Sequence, residues 1–282
     1  MALSIFGDAH NLRKIEAEGI LAFEDPAETI FALSALARLH AGFQRKLPTP
    51  PAIPAKTPRM PKHALNEYEA KRLLRRAGVP AGRESLASSP ADAAKKAASI
   101  GFPVVMKIVS PDIAHKTEIG GVMLNLGSQG AVRKAYAEIV ANARKAEPDA
   151  RIDGVLVAKM IGGGVETILG TLRDPTFGPV VMFGLGGIVA EALKDVTFRV
   201  APFGVREAAR MIRDIKGYSI LEGARGAPPA DTAALAKALS QLSIFAVANA
   251  DRLESIDVNP FLVLEKGKGA VALDALLVPR GD

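Results

Sequence analysis

The sequence predicts an α+β fold built from antiparallel sheets and from helices that pack on them. Over residues 62–150, helix patterns with defined ends alternate with β-rich runs. From residue 151 onward, several β-rich runs follow one another through short loops. A parallel crossover needs a connection of about a dozen residues or more, so the short loops favour antiparallel pairing.

The chain begins with a helical segment and a proline-rich tether. Asp25 and Pro26 are typical of a helix N-cap and a first helical position, and apolar residues follow at helical spacing. Six prolines fall within residues 48–61, which excludes a helix there and indicates an extended tether. We therefore expect a short helical segment at 1–46 and a linker at 47–61.

Two α+β units are expected after the tether, one at 62–150 and one at 151–282. The first unit has predicted helices at 66–78, 89–101 and 131–145, and predicted strands at 102–109 and 122–126. The second unit has predicted strands at 154–161, 165–172, 179–183, 188–193, 196–201, 253–264 and 270–273, and predicted helices at 205–215 and 231–249.

The composition excludes several kinds of site and partner. The chain has no cysteine, so disulfides, thiolate nucleophiles and cysteine-ligated metals are not available. No apolar run approaches the roughly 20 residues needed to span a bilayer, and the first ten residues lack the order of a signal peptide. The net charge is +6, but no basic run is interleaved with aromatic residues. We expect a cytoplasmic protein that binds neither membranes nor nucleic acid.

Lys107 and His115 are the first candidates for chemistry. Lys107 interrupts the apolar run at 102–109, and it is either a lysine on the solvated face of an edge strand or a phosphate ligand presented by a rigid strand. His115 lies in the polar segment 110–121, which ends in two glycines. A lone histidine is usually structural or solvated, but imidazole is also a competent nucleophile near neutral pH.

The glycines at 162–164 and 184–187 are flanked by β-rich runs. They match neither the dinucleotide fingerprint nor the Walker loop, because both motifs need a following helix N-terminus. Tight hairpins explain these glycines, and close approach of the backbone to a polyphosphate is the alternative.

Three oxygen-bearing side chains near the C-terminus could meet. Asp257 and Asn259 alternate along a predicted strand and so project to one face, and Asp274 ends the next strand. Two or three oxygen ligands together with ligand phosphates are the usual way in which Mg²⁺ is held. An Asx-Pro turn with exposed acids is the alternative.

Taken in order, these segments resemble the ATP-grasp domain of the ADP-forming acetyl-CoA synthetase (acetate–CoA ligase) family, which is related to succinyl-CoA synthetase β subunits. The resemblance covers about residues 61–278 and is most specific at 110–121, 174–187 and 256–260. It implies an ATP-grasp fold, in which two α+β subdomains hold a nucleotide between antiparallel sheets. Segment 1–46 would then be a remnant of an upstream CoA-ligase region.

The resemblance also implies a role for each candidate residue. Lys107 would contact the nucleotide phosphates, and His115 would be a phosphohistidine that passes its phosphoryl group to ADP. The other nucleotide contacts would come from the hinge residues Val157, Lys159 and Met160, from Glu166 at the ribose, and from Gly186 and Gly187. The Mg²⁺ ligands would be Asp257, Asn259 and Asp274. Lys159 departs from the acidic residue common in the family, and lysine cannot accept a hydrogen bond from the adenine amino group, so selectivity between ATP and GTP stays open.

By the same resemblance, the chain shares its reaction with a partner. An α-type CoA-binding, CoA-ligase subunit would handle acyl-CoA and carboxylate within a hetero-oligomer, while this chain uses ATP or ADP and Mg²⁺. Two other functions are alternatives: a different ATP-grasp carboxylate ligase that proceeds through an acyl phosphate, and a non-catalytic nucleotide-sensing module.

Overall fold

The structure is a computed structural model that describes residues 2–4, 9–44, 48–113, 116–186, 195–223 and 226–281. His115, Gly187 and the predicted strand at 188–193 lie outside the described residues. The chain divides into two compact units, residues 1–49 and 50–282. Within the described ranges, no helix combines the length and the apolar character that crossing a membrane requires.

The described residues of the first unit form two short strands and two helices: β1 (Ala2–Ser4), α1 (Ala9–Ala17), β2 (Leu21–Phe23) and α2 (Pro26–Gln44). β1 and β2 pair in parallel. The side chain of Asp25 accepts the backbone N–H of Ala27 at 2.7 Å, which caps α2. The predicted start of this helix is confirmed. The strands were not predicted, because three residues are too few to show a period.

The proline-rich segment is extended, but its C-terminal end is anchored. Residues 48–66 contain neither helix nor strand. Met60 is fully buried, and its N–H donates to Asn249 Oδ1 at 2.7 Å. Asn249 in turn donates to the carbonyl of Pro58 at 3.1 Å. The predicted linker at 47–61 is therefore too long, because its last residues belong to the folded second unit.

A four-stranded antiparallel sheet, ordered β3-β6-β4-β5, forms one half of the second unit. Its strands are β3 (Glu84–Ala87), β4 (Val104–Val109), β5 (Val122–Leu126) and β6 (Gly154–Lys159). Helices α4 (Pro90–Ile100) and α5 (Gln129–Ala146) contribute to its apolar core. The predicted division at residue 150 is wrong for β6, which pairs with both β3 and β4.

A six-stranded antiparallel sheet forms the other half, with the path β11-β10-β7-β8-β9 and β12 paired to β10. Its strands are β7 (Val165–Asp174), β8 (Gly178–Leu185), β9 (Val196–Val200), β10 (Leu253–Val263), β11 (Ala270–Ala272) and β12 (Leu276–Pro279). The helices among the described residues of this half are α3 (Glu67–Arg76), α6 (Val205–Arg213), α7 (Tyr218–Leu221) and α8 (Thr232–Ala248). The predicted antiparallel pairing is confirmed in both sheets of this unit.

Helix α3 packs in the core of the six-stranded sheet, although it precedes the four-stranded sheet in the sequence. Its Ala70, Leu73 and Leu74 are buried together with residues of β7, β8 and β10. The side chain of Asn66 and that of Glu69 form the predicted capping box at its start. Since α3 presents its apolar stripe to the second sheet, the predicted unit 62–150 does not pack as one body.

Candidate functional site

A cavity of about 170 Å³ lies between the two large sheets. The four-stranded sheet contributes one wall, and β10 and β11 with the residue after β11 contribute the other. Its apolar lining includes Val105, Ala158, Met160, Ile161, Pro260 and Leu273, and its charged lining includes Lys71, Glu84, Lys107 and Lys159. An apolar cleft with a few convergent polar groups is typical of a small-molecule site.

The strand register explains why Lys107 and Glu84 share this cavity. Lys107 on β4 lies opposite Leu156 on β6, and Glu84 on β3 lies opposite Ala158. Leu156 and Ala158 are two residues apart on one strand, so their side chains point to the same face of the sheet. Lys107 and Glu84 therefore project from that same face.

Lys107 is held by groups from both halves of the second unit. Its ammonium group donates to Asp274 Oδ2 at 3.2 Å, to Glu67 Oε1 at 3.3 Å and to the carbonyl of Leu273 at 3.1 Å. Burial acts to lower the pKa of Lys107, but the carboxylates of Glu67 and Asp274 outweigh it and raise that pKa above the usual value. Lys107 is therefore a fixed cation at neutral pH, on the face of a central strand and not on an edge.

Glu67, which was not predicted as a site residue, is the common partner of three lysines. Its buried carboxylate pairs with Lys71 at 2.8 Å, with Lys107 at 3.3 Å, and with Lys116. Burial alone would raise the pKa of Glu67, but the three ammonium groups prevail and lower it to about 2. Lys116 follows His115 in the sequence, so this ion pair ties the candidate histidine segment to the cluster beside the cavity.

Lys71 and Glu84 form a second buried pair. Lys71 Nζ lies 2.6 Å from Glu84 Oε2, and both side chains are almost fully buried. Burial raises the pKa of Glu84, while the neighbouring Lys71 acts to lower it. The one sequence signal for this cluster is the i, i+4 spacing of Glu67 and Lys71 on the apolar stripe of α3.

The predicted hinge is only partly available to a ligand. Val157 is buried in the core of the four-stranded sheet, and β3 and β4 flank its backbone on both sides. Contact of the Val157 backbone with a base stays a prediction that rests on the family resemblance. The N–H groups of Lys159 and Met160 donate to the carbonyls of Arg83 and Pro103 at 3.0 and 3.1 Å. Because these two N–H groups are already hydrogen-bonded, residues 159 and 160 can contact a nucleotide base only through their carbonyl groups and side chains.

The side chain of Lys159 has a structural contact of its own. Its ammonium group donates to the carbonyls of Phe102 at 2.7 Å and Gly101 at 3.1 Å, which ties the end of β6 to the loop before β4.

The Lys159→Met variant should lower the free energy of unfolding by about 1–3 kcal/mol, because two carbonyls lose a charged donor. Urea unfolding followed by circular dichroism measures the change. Lys134, exposed on α5, provides the matched control, and Lys134→Met should change the free energy by no more than about 0.5 kcal/mol. Equal losses in the two variants would contradict the structural contact.

The three predicted metal ligands lie on or beside β10. Asp257 and Asn259 are both exposed on that strand, and Asp274 follows β11. Partial desolvation and the nearby Asp274 carboxylate raise the pKa of Asp257. In the described part of the chain, no group of three or more His, Cys, Asp or Glu side chains could hold a metal. Two carboxylates and an amide fit Mg²⁺, which also takes phosphate oxygens and water as ligands.

Glu166 and Gly186 lie together and are not among the residues that line the cavity. The N–H of Gly186 donates to the carbonyl of Glu166 at 2.7 Å. A Cβ at position 186 would lie 3.0 Å from the carbonyl carbon of Glu166, so glycine permits this close backbone approach. Glu166 is exposed on β7. The structure thus brings Lys107 and Asp274 into contact, and Lys159 and Met160 to the same cavity, but not Glu166 or Gly186.

Comparison with known proteins relates this chain to a family of nucleotide-binding domains and to several enzymes. Residues 56–278 match the family model described as an ATP-grasp domain. The chain is 47% identical over 218 residues to the β subunit of acetate–CoA ligase (ADP-forming) II from Pyrococcus furiosus, covering 77% of this chain and 92% of the relative. It is also 45% identical over 210 residues to 4-hydroxybutyrate–CoA ligase (ADP-forming) from Nitrosopumilus maritimus, of which it spans 30%.

Solved structures give the same result. The dinucleotide forming acetyl-coenzyme A synthetase 1 of Ca. Korarchaeum cryptofilum, in complex with coenzyme A, Ca-AMPCP and HgCl+, superposes with a TM-score of 0.74 at 44% identity, covering 77% of this chain and 93% of that one. A second structure of that enzyme, with Mg-AMPPCP and a phosphohistidine segment pointing towards the nucleotide site, gives a TM-score of 0.68 at 41% identity, with 77% and 93% of the two chains covered. The predicted ATP-grasp fold is confirmed, and this chain belongs to the ATP-grasp domain family.

Proposed function

We propose that this chain is the nucleotide-binding, β-type part of an ADP-forming acyl-CoA synthetase. It would pass a phosphoryl group through His115 between ADP or ATP and a CoA-ligase partner. The overall reaction would be acyl-CoA + phosphate + ADP ⇌ carboxylate + CoA + ATP. The observation that carries the proposal is the cluster of three lysines around the buried carboxylate of Glu67, with Lys107 at an apolar cleft, in a chain 47% identical to an acetate–CoA ligase β subunit.

Lys107 is proposed as the phosphate ligand. An ammonium group on a rigid strand presents a point charge to phosphate oxygens without the entropy cost of ordering a mobile side chain. The Asp274 and Glu67 carboxylates keep this group protonated and aimed at the cleft. Since phosphoryl transfer depends mostly on positioning and charge neutralisation, a fixed cation is the contribution that the reaction needs.

The apolar lining of the cavity supports a site for the nucleotide base. Ala158, Met160 and Pro260 offer flat apolar contacts, and the carbonyl groups of the hinge offer acceptors. Contacts of Glu166 with the ribose and of Gly186 and Gly187 with the polyphosphate stay proposals that rest on the family resemblance.

Asp257, Asn259 and Asp274 are proposed to hold Mg²⁺. The oxygen donors match the preference of this ion, and the N–H of Leu273, next to Asp274, donates to the carbonyl of Pro260, next to Asn259, at 3.0 Å. Mg²⁺, when bound, supplies charge neutralisation for the nucleotide phosphates. In the free protein Lys107 offsets part of the negative charge of Asp274.

His115 is proposed as the phosphoryl carrier. In the transfer step, a terminal oxygen of ADP attacks phosphorus and forms the new P–O bond, and the P–N bond breaks with its electron pair returning to the ring nitrogen. That nitrogen takes up one proton from water, so the products are neutral imidazole and ATP. The ion pair between Lys116 and Glu67 supports this role, because it fixes the residue next to His115 beside the partner of Lys107.

The partner is proposed to be an α-type, CoA-binding subunit. Relatives of this chain are named as β subunits, which implies a second subunit in those enzymes. Residues 1–46 would be the remnant of a CoA-ligase region, and acyl specificity would lie with the partner. The proposal places the complex in the cytoplasm, where ATP and CoA are supplied.

Reconstitution tests the function. The chain co-purified with an α-type subunit from the same genome should form ATP from acetyl-CoA, phosphate, ADP and Mg²⁺, and neither subunit should do so alone. Luciferase detection of ATP provides the readout. A complex that assembles and binds both ADP and CoA, yet forms no ATP from acetyl-, propionyl- or butyryl-CoA, would reject the proposal in favour of a sensing module.

Labelling separates the proposal from another ATP-grasp ligase. After incubation with γ-³²P-ATP, a phosphohistidine enzyme carries a label that acid releases and base does not. A ligase that proceeds through an acyl phosphate leaves the protein unlabelled.

A further inference from the structure

Glu84 has a buried oxygen without a partner in the described structure. Its side chain is 1% exposed, and Oε2 is paired with Lys71 at 2.6 Å. Oε1 is buried and accepts no hydrogen bond from any residue that the structure describes. Leaving a buried acceptor unpaired is costly, so such an atom in a folded protein calls for an explanation.

The position of Glu84 connects this oxygen with a ligand. Glu84 lines the cavity between the sheets and lies opposite Ala158, which is inside the hinge. The neighbouring donors are already in use: the N–H groups of Lys159 and Met160 donate to backbone carbonyls, and so does the Lys159 ammonium group. Among the residues described around this cavity, Glu84 is the one acidic side chain, so its carboxylate is the charged hydrogen-bond acceptor that a ligand could meet.

The chemistry of an ionised carboxylate restricts what can meet it. Such a group only accepts hydrogen bonds. Burial raises the pKa of Glu84, and the Lys71 ammonium group 2.6 Å from Oε2 acts against this and favours the ionised form. Purine nucleotides differ at ring position 6, where adenine carries an amino donor and hypoxanthine and guanine carry a carbonyl acceptor. A 6-amino group would donate a hydrogen bond to Oε1, whereas a 6-carbonyl oxygen would face Oε1 without a hydrogen and repel it.

We propose that Glu84 is the base-selecting residue of the cleft: its Oε1 accepts a hydrogen bond from the 6-amino group of adenine and disfavours 6-oxopurines. This inference rests on the proposed function, in which the cleft binds a purine nucleotide. It gives the acceptor role to a side chain on β3, since Lys159 at the hinge cannot perform it.

The Glu84→Gln variant provides the test, with ADP and inosine diphosphate as probes and isothermal titration calorimetry as the measurement. The Lys71 ammonium group needs an acceptor, so the glutamine oxygen should keep the hydrogen bond from Lys71. The amide NH₂ should then take the place of Oε1 and face the cavity. We expect the wild-type chain to prefer ADP by about ten- to hundredfold, the size of a hydrogen bond to a charged group. In the variant this preference should fall by at least about tenfold or invert.

Glu138, exposed on α5, gives the matched control, and Glu138→Gln should keep the wild-type preference. An unchanged ratio of ADP to inosine diphosphate affinity in Glu84→Gln overturns the inference while leaving the proposed function in place. A wild-type chain that binds neither nucleotide overturns both.

If thermal melting shows that Glu84→Gln is unfolded, a crystal structure of the wild-type chain with ADP decides the question. The inference expects the 6-amino nitrogen within about 3.2 Å of Oε1, and a separation beyond about 4 Å overturns it.

Discussion

The His115→Ala variant, reconstituted with its α-type partner, should lose ATP formation by more than about a thousandfold, because removing a covalent nucleophile removes the route itself. The chain has no cysteine that could replace it. ADP affinity should stay within about twofold of wild type, since the proposed nucleotide contacts come from Lys107 and the cavity lining. Coupled ATP assays and calorimetry measure the two quantities.

His63 provides the matched control for this prediction, because it is exposed and lies outside the residues that line the cleft. The His63→Ala variant should retain wild-type turnover and the acid-labile ³²P label. His115→Ala should show no label. Wild-type turnover by His115→Ala would exclude a phosphoryl relay through this residue.

The positions of many strands along the chain could be predicted from sequence because the apolar runs are bounded by glycine and proline. The start and end of β5, β7 and β9 were predicted to within two residues. The assignment of β6 and α3 to the wrong units has one cause. An apolar face shows that a segment is buried but not against which sheet, and that choice is made by tertiary packing.

The candidate site was predictable where a residue violated its local pattern. Lys107 stands out because a cation in an apolar strand needs a reason. Glu67, Lys71 and Glu84 do not stand out, because charged residues on a helix or near a loop are usually solvated. Their ion pairs join α3, β3 and β4, and such pairs become visible only when the elements are packed. The hydrogen bonds from the hinge N–H groups to the carbonyls of Arg83 and Pro103 likewise depend on tertiary packing and could not be predicted from sequence.

The Glu67→Gln variant should lower the free energy of unfolding at pH 7 by about 3–5 kcal/mol, the usual effect of breaking a buried ion pair from one side. Lys71, Lys107 and Lys116 all lose their shared carboxylate. The loss should depend on pH in a defined direction. Because folding lowers the pKa of Glu67 from 4.5 to about 2, its contribution is complete above pH 4.5 and disappears as the pH falls through about 2.

Urea unfolding of both proteins at pH 7 and pH 3 tests this linkage. At pH 3 the unfolded wild-type chain binds a proton at Glu67 that the folded chain largely excludes, so folding is favoured less than at pH 7. The difference between wild type and Glu67→Gln should therefore shrink by about 2 kcal/mol from pH 7 to pH 3. Other acids titrate in both proteins and cancel in the comparison. A difference that is the same at both pH values would mean that Glu67 does not hold the three lysines as an ionised carboxylate.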